Sequence, residues 1–213
     1  MILLPPDETL PQPIRCHPDS IFAAIGNRLI FPRSYADTYP AVMEEIASCG
    51  GFELLLSDTP RGSVHPLDAG LNVSAGRDFL LCRPDTVDPL ILQTADSLGL
   101  PLIPTRQSYA GCACLVTDAG ILTFDCGIAR SLSAHEIHHL LLTSGGISLP
   151  GYNSGFFGGA CGFHDGVIYV HGNHRSLPCC PQLENFAESN GYTVVSLCMS
   201  PVTDVGGIRI FQT

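Results

Sequence analysis

The sequence predicts an α/β fold in which five β-β-α-β units close into a ring, in the manner of a five-bladed propeller. Three observations predict it. A glycine followed by a short apolar run recurs five times, a segment with the features of a short helix follows four of these runs, and the two chain ends carry pieces that would complete the fifth unit. We therefore expect one domain, residues 1–213.

Each unit begins with a predicted β-hairpin. Successive glycines lie 50, 44, 46 and 41 residues apart, and a spacing of about 45 residues is typical of a repeat array. A strand-like stretch precedes each glycine as well, and two short strands around a glycine turn indicate a hairpin. The glycines are Gly26, Gly76, Gly120, Gly166 and Gly207; the stretches before them are residues 21–25, 71–75, 112–117, 160–164 and 201–205, and the runs after them are residues 28–32, 78–82, 121–125, 167–171 and 208–212.

A helix and a third strand are predicted after each of the first four hairpins. Proline in a first turn and glycine just past the last turn are typical helix boundaries. The helices begin at Pro40, Asp88-Pro89, Ser133 and Pro181 and end at glycines 50–51, 99, 145–146 and 191; the third strands are residues 52–56, 100–104, 147–150 and 192–197.

The fifth unit stops after its hairpin. Ile2-Leu3-Leu4-Pro5 is similar in sequence to the third strands of the second and third units, so the N-terminus can supply the missing strand. Such closure would leave no sheet edge exposed, which an open array would have to protect.

Charge restricts the partners that the chain can have. The chain has 10 Lys and Arg against 20 Asp and Glu, a net charge of −10, and only 14% of its residues are charged. Because no cluster of Lys and Arg is present to neutralise phosphates, nucleic acids and anionic membranes are disfavoured as partners. The N-terminus has no basic region before its apolar residues, and no apolar run is long enough to span a membrane, so we expect a cytoplasmic location.

The chain has ten cysteines without any C-x-x-C pair or paired zinc-ribbon spacing. Most stand among small and apolar residues, where a reduced cysteine behaves as a small buried hydrophobe. We therefore predict mostly reduced thiols rather than disulfides.

Several stretches resemble an uncharacterised bacterial branch of the pentein fold, also called the guanidino-group-modifying-enzyme fold. They occur in the order of the repeat and together span nearly the whole chain. They are Cys16-His17-Pro18-Asp19, His65-Pro66-Leu67-Asp68 with Asn72-Val73, Gln107-Ser108-Tyr109-Ala110-Gly111-Cys112, Gly155-Phe156-Phe157-Gly158-Gly159, and Pro201-Val202-Thr203-Asp204-Val205-Gly206-Gly207.

The resemblance implies a site in a central channel. Penteins such as arginine deiminases, dimethylargininases and amidinotransferases use a cysteine nucleophile, a histidine acid/base and carboxylates that bind a guanidinium ion. This chain departs from their pattern twice. Its fifth hairpin, Thr203 to Gly207, has no cysteine where those enzymes carry the nucleophile, and Gly158-Gly159 is followed by Ala160-Cys161 rather than by an acidic residue.

Polar residues at the junctions between loops and first strands should converge on the axis of such a ring. Cys112 is the candidate nucleophile, with His17 and His65 as acid/base partners; a cation would be bound by Asp19, Asp68, Asn72, Gln107, Tyr109 and Asp204. The alternative is that these Asp, Asn and His side chains cap turns, and that Cys112 only fills a narrow ring centre. Cys114 should share a strand face with Cys112, which leaves a paired-thiol role open.

Two further segments offer metal ligands. His135-Glu136-Ile137-His138-His139 matches the H-E-x-x-H zinc motif, but Ser133 with Glu136 also forms a capping box, and the helical pattern places His135 and His139 on the solvent face. His171, His174, Cys179 and Cys180 could bind a soft metal, although we interpret them as loop residues. The glycine-rich residues 155–162 follow no phosphate- or dinucleotide-binding pattern, and we interpret them as a close approach of backbone segments. No metal or cofactor is expected.

These observations favour a protein that binds or processes a small cation, of guanidino or amino-acid type, in a central polar pocket. If it is an enzyme, the resemblance implies a cysteine-dependent amidine or guanidine hydrolase or transferase. Two alternatives stay open: a catalytically silent scaffold or ligand-sensing module, and a zinc hydrolase that uses residues 135–139.

Overall fold

The computed structural model describes residues 2–211, whose β-structure consists of four three-stranded sheets. In each sheet the first strand pairs antiparallel with the second, and the second pairs parallel with the third. The sheets are β1 (Ala23–Ile25), β2 (Arg28–Pro32), β3 (Glu53–Ser57); β4 (Ser74–Ala75), β5 (Leu80–Cys82), β6 (Leu102–Pro104); β7 (Cys114–Thr117), β8 (Gly120–Thr123), β9 (His139–Leu141); and β10 (Cys161–His164), β11 (Val167–Val170), β12 (Thr193–Ser196).

A helix joins the second strand of each sheet to the third, as a parallel connection requires. In the first, second and fourth units these helices begin where the sequence predicts, because proline occupies the first turn of each. Three shorter helices precede or follow strands. The helices are α1 (Pro18–Ile21), α2 (Arg33–Thr38), α3 (Pro40–Ser48), α4 (Pro89–Ser97), α5 (Ala110–Ala113), α6 (Cys126–Ala134) and α7 (Cys180–Ser189).

The prediction of a helix at residues 133–144 of the third unit is wrong, because the helix of that unit is α6, Cys126–Ala134. The helix begins earlier because the Asp125 carboxylate accepts hydrogen bonds from the backbone N–H groups of Gly127 and Ile128, at 2.7 and 2.9 Å. It ends in a Schellman motif: the Glu136 and Ile137 N–H groups donate back to Ser133 and Leu132, with Glu136 in the left-handed conformation at φ 58°.

Because α6 ends at Ala134, the H-E-x-x-H residues do not form a zinc site on one helix. His135 follows the last turn of α6 while His139 begins β9, so the two histidines do not share a helix face as H-E-x-x-H requires. Ser133 does not cap a helix: its hydroxyl donates to the Ala129 carbonyl one turn back. The third strand of this unit is β9, and not residues 147–150 as predicted.

The fifth hairpin and the N-terminal strand do not form as predicted. Within the described residues, 201–211 contain no strand; Thr203 makes one isolated parallel bridge with Ser148. Residues 2–5 also have no strand pairing, because Ile2 and Leu4 instead pack against the apolar cluster of the first unit. Residue 212, the end of the predicted fifth run, lies outside the described residues.

Each connecting helix of units two to four is buried between its own sheet and the preceding one. Ile91 of α4 packs with Ile30 of the first sheet and Leu80 of the second; α6 and α7 occupy equivalent positions in the next two clusters. A cavity of about 230 Å³ lies among the first strands, lined by residues of β1, β4, β7 and β10 together with residues 208–211. The four first strands therefore converge on one place.

No helix among residues 2–211 is long and apolar enough to cross a membrane.

The close approach predicted for the glycine-rich segment is present at Gly158. A Cβ atom there would lie 2.1 Å from the Cys114 carbonyl oxygen and 2.8 Å from that of Cys112. Both obstacles are backbone atoms, which cannot rotate away as a side chain can. The glycine is therefore needed for a short 3-10 turn, Gly158–Ala160, to pack against α5 and β7.

We expect Gly158→Ala to lower the free energy of unfolding by about 3 kcal/mol or more, since it overpacks a rigid backbone contact. Gly70→Ala is the matched control, because its added methyl would meet only ordinary contacts at 3.7 and 3.8 Å. Urea unfolding of the two variants and the parent measures both effects. Equal stability of the two variants would contradict this account of the segment.

Candidate functional site

A second cavity, of about 310 Å³, contains four of the predicted site residues. Cys112, His17, Tyr109 and Asp204 line it together with residues that the sequence did not indicate. Those additional residues are Ile14, Ser20, Leu149, Tyr152, Asn153, Ser154 and Phe156. The only sequence signal near Tyr152 and Asn153 is the pair of flanking glycines at 151 and 155.

Asp204 lies at the wall of this cavity and is 2% exposed. Its carboxylate accepts hydrogen bonds from two backbone N–H groups, those of Phe156 at 2.9 Å and Gly206 at 3.0 Å. Glycines make room for it, because a Cβ at Gly159 would lie 2.1 Å from Asp204 Oδ1 and one at Gly155 would lie 2.5 Å from Asp204 Cβ. Asp204 therefore bonds to backbone N–H groups, as the turn-capping interpretation predicted, and also lines the cavity.

His17 faces the same carboxylate from the start of α1. Its Nδ1 atom lies 3.7 Å from Asp204 Oδ1, and this buried nitrogen has no hydrogen-bond partner among residues 2–211. Gly206, at φ 81°, fits against it: a Cβ there would lie 2.3 Å from His17 Cβ. His17 and Asp204 thus form a buried pair in contact with the cavity.

Cys112 is held by two predicted site residues from different units. Its thiol donates to Asp19 Oδ2 at 2.7 Å and accepts from Asn72 Nδ2 at 3.0 Å, while the Cys112 N–H donates to Asn72 Oδ1 at 3.0 Å. Asp19 is 2% exposed and lies behind the thiol, outside the cavity lining. Cys112 itself belongs to α5 and Cys114 to β7, so the prediction that they share a strand face is wrong.

The electrostatics of the site favour the protonated, neutral forms of Cys112 and Asp204. Burial raises the pKa of the Cys112 thiol well above its usual value, and the negative charges of Asp19 and Asp204 raise it further. Burial also raises the pKa of Asp204, with Asp19 as the next cause, against the opposing effects of the Phe156 and Gly206 N–H groups and His17. Cys112, Asp19 and Asp204 therefore form an acidic group, and His17 is the one basic side chain among the described residues of the cavity lining. The buried Arg61 instead donates to the Ser20 carbonyl, on the side of Asp7 and Asp68.

Tyr109 and Asp68 form a third buried contact beside the cavity. The Tyr109 hydroxyl donates to Asp68 Oδ2 at 2.7 Å, and the pKa of Tyr109 is raised by burial and then by Asp68. Asp68 Oδ1 is buried without a hydrogen-bond partner. The structure thus places Asp68 one side chain away from the cavity.

His65 and Gln107 are the two predicted site residues that the structure directs elsewhere. His65 is exposed and bonds through Nε2 to Ser108 Oγ at 2.9 Å. Gln107 donates to Asp125, the cap of α6, at 3.0 Å, and accepts from the Tyr109 N–H at 3.1 Å. Because Gln107 orients the backbone of Tyr109, its position is structural, and His65 does not reach Cys112.

The sequence of the chain from residue 1 to residue 209 matches one described family. The chain belongs to DUF6873, a family of unknown function. No curated protein matches it in sequence.

Solved structures of two guanidino-modifying enzymes are similar in fold. One is a dimethylarginine dimethylaminohydrolase in an adduct with S-methyl-L-thiocitrulline, at 11% identity and a TM-score of 0.56, over 90% of this chain and 72% of that one. The other is an amidinotransferase from Microseira wollei in the saxitoxin biosynthetic pathway, at 14% identity and a TM-score of 0.50, over 93% of this chain and 72% of that one. The predicted pentein-like fold is confirmed.

We expect Cys112 to be alkylated more slowly than the accessible cysteines of the folded protein. The pKa of Cys198 is lowered, chiefly by hydrogen bonding to Ser200, and Cys126 is exposed. Each unit by which the pKa of a thiol is raised lowers the fraction of thiolate, the reactive form, about tenfold at neutral pH. Peptide mass spectrometry after timed iodoacetamide treatment at neutral pH should give Cys198 first and Cys112 at least about tenfold later.

The same treatment in urea is the control, because unfolding removes the burial and should bring the rate of Cys112 up to that of the other cysteines. Alkylation of Cys112 as fast as Cys198 in the folded protein would mean that the thiol is activated there.

Proposed function

We propose that the chain binds a small organic cation, of guanidino or amino-acid type, in the 310 Å³ cavity at Asp204. The observation that carries this proposal is the set of buried carboxylates around the cavity: Asp204 in its wall, with Asp19 and Asp68 each one side chain behind it. Among the described residues that line the cavity there is no Lys or Arg, and His17 is the one basic side chain.

Buried carboxylates are costly unless they are paired with a cation or well hydrogen-bonded. Burial and the nearby charge of Asp19 raise the pKa of Asp204, so a positive charge beside Asp204 would be favourable. A ligand cation would supply that charge. A guanidinium ion is well suited, because its planar N–H groups bond to carboxylates in pairs.

The remaining walls fit the rest of such a ligand. Tyr109 and Phe156 line the cavity with ring centroids 6.3 Å apart, and Tyr152 stands half exposed at the cavity. Aromatic faces attract cations, and guanidinium groups stack on them. A cation seated against Asp204 could therefore use both kinds of contact.

A catalytically silent, ligand-sensing module is the second candidate, and the state of Cys112 favours it. The thiol donates a hydrogen bond to Asp19 and its pKa is raised, so in the ligand-free protein it is expected to be a poor nucleophile. If the chain is an enzyme, Cys112 would be the nucleophile of an amidine or guanidine hydrolase or transferase, with His17 as its acid/base. Rapid alkylation of Cys112 by a haloacetamidine would support the enzyme; slow alkylation supports the silent module.

We infer that the four sheets and the C-terminal segment form one closed ring within a single domain. The position of each connecting helix between successive sheets supports this, as do the residues 208–211 in the axial cavity beside four first strands. Phe211 contacts Phe22 and Phe52 of the first unit, with ring centroids 6.4 and 4.9 Å apart.

All ten cysteines are free thiols, which supports the predicted reducing compartment, the cytoplasm.

Calorimetric titration with a panel of guanidino and amino compounds tests the proposed function. We expect at least one to bind, while its neutral ureido isostere does not. Asp204→Asn should weaken binding at least about 30-fold, because a buried charge pair loses about 2 kcal/mol or more. Asp19→Asn should weaken binding about tenfold, because the cation loses the electrostatic attraction of a charge that it does not contact directly.

Asp118→Asn is the matched control, since it removes one negative charge from an exposed ion pair with Arg77 and should leave binding unchanged. Absence of binding by the whole panel, or equal affinity in all three variants, would overturn the proposal. Asp19→Asn covers the case in which Asp204→Asn does not fold, because within the described part of the chain the Asp19 carboxylate accepts only from the Cys112 thiol and the Ser20 hydroxyl.

The affinity for the cation should decrease as the pH is lowered, and the decrease should begin above the ordinary range of a carboxyl group. The raised pKa of Asp204 means that its carboxylate takes up a proton at higher pH than usual and then loses its attraction for the ligand. Asp19→Asn removes one cause of the raised pKa, so the midpoint should move to lower pH; an unchanged midpoint would contradict this coupling.

A further inference from the structure

His174, Cys180 and Glu184 come together around the start of α7, away from the cavity of Asp204. Each offers one potential metal ligand, and the three ligand atoms lie within 4.8 Å of one another. His174 Nε2 lies 3.5 Å from Glu184 Oε1. His174 and Cys180 are buried and Glu184 is exposed, so the group has a covered side and an open side.

The fold of the fourth unit brings the three together. Cys180 and Glu184 lie four residues apart on α7, and so on one face of the helix. His174 begins a short 3-10 turn that Asn173 caps, its side chain accepting from the Arg175 N–H at 3.1 Å. This turn leads directly into α7 and sets the imidazole over that face.

Only part of the group was visible in the sequence. Of the four residues His171, His174, Cys179 and Cys180, the structure uses two. Cys179 is fully buried in the apolar cluster of the fourth unit, and His171 bonds to the Thr203 carbonyl at 3.3 Å. The third member, Glu184, gives no signal in the sequence because acidic residues are common on exposed helix faces.

A hydrogen bond fixes the direction of the imidazole. Ser196 Oγ lies 2.7 Å from His174 Nδ1 and also accepts the His174 backbone N–H at 3.0 Å. The tautomer in which Nδ1 donates to Ser196 leaves the lone pair of Nε2 directed towards Glu184. Such an outer contact on the second ring nitrogen accompanies nearly all metal-binding histidines.

We propose that His174, Cys180 and Glu184 bind a zinc ion. Thiolate, imidazole and carboxylate are the ligands that Zn²⁺ takes in proteins, at about 2.0–2.3 Å and in tetrahedral geometry. In that geometry nitrogen and oxygen ligands lie about 3.4 Å apart, close to the 3.5 Å between His174 Nε2 and Glu184 Oε1. The open side beside Glu184 leaves a fourth position for water.

The charges of the group also suit a dication. A Cys180 thiolate and the Glu184 carboxylate would together supply two negative charges beside the neutral imidazole of His174. Arg175 opposes this weakly, its Nε lying 4.0 Å from Glu184 Oε1. Zn²⁺ would take the place of the thiol proton and link the turn before α7 to the helix itself.

Zinc titration of the full chain, reduced and freed of metal with a chelator, tests this site. Competition with a chromophoric chelator at neutral pH should give one zinc per chain. Cys180→Ser and Glu184→Gln should each weaken binding by at least about 100-fold, and Ser196→Ala by about 10- to 100-fold because it only orients His174. Zinc should raise the melting temperature of the parent and not that of Cys180→Ser.

Cys126→Ser is the matched control, because it removes an exposed thiol far from the group in sequence and should keep the zinc. Glu184 is half exposed, so Glu184→Gln serves if Cys180→Ser does not fold. Fewer than one zinc per chain in the parent, unchanged binding in Cys180→Ser and Glu184→Gln, or equal loss in Cys126→Ser would overturn the proposal.

Discussion

The organisation of the central site depends on the burial of one carboxylate, that of Asp204. The bond from the Phe156 N–H joins the C-terminal segment to the glycine-rich loop, and the bond from the Gly206 N–H closes a turn within that segment. The loop can approach the carboxylate because Gly159 has no side chain, since a Cβ there would overlap it. No regular sheet holds residues 201–211; backbone hydrogen bonds such as those from the Asp204 N–H to Ser148 and from the Val205 N–H to Gly159 act together with the Phe156 bond to fix that segment at the cavity.

Burial, Asp19 and then Asp204 determine the chemistry of Cys112. A thiol becomes a good nucleophile beside a cation, and Cys112 instead lies between Asn72 and Asp19, with the charge of Asp204 nearby. Ionising it would add a negative charge to a buried group that is already too acidic. A bound cation would change this balance by stabilising carboxylates and thiolate alike. Binding of the proposed cation would thus be coupled to ionisation of the thiol, and the ligand-free protein is expected to be inert at this position.

The repeat in the sequence predicted the three units whose helices begin with proline, because Pro and Gly there act locally. In the third unit it predicted the hairpin but misplaced the helix and the third strand, because Asp125 caps the helix earlier and Glu136 adopts the left-handed conformation that normally indicates glycine. The candidate site was likewise only partly predictable from the sequence. Residues such as Cys112 and Asp19 could be named as candidates, but their contact joins positions 93 residues apart, and no local pattern encodes it. The sequence gives still less indication of Glu184.

The two proposed sites differ in what selects their ligands. At the central cavity Asp204 accepts hydrogen bonds from backbone N–H groups, and Cys112 donates to Asp19 behind it. The remaining capacity of these side chains is charge spread over a volume, which suits an organic cation with N–H groups of its own. Around α7 the ligand atoms instead converge within 4.8 Å, and no other group of three His, Cys, Asp or Glu in residues 2–211 does so. A small ion needs that convergence, because it must replace its water shell with ligands at fixed distances. Negative charge alone therefore does not make the centre a metal site.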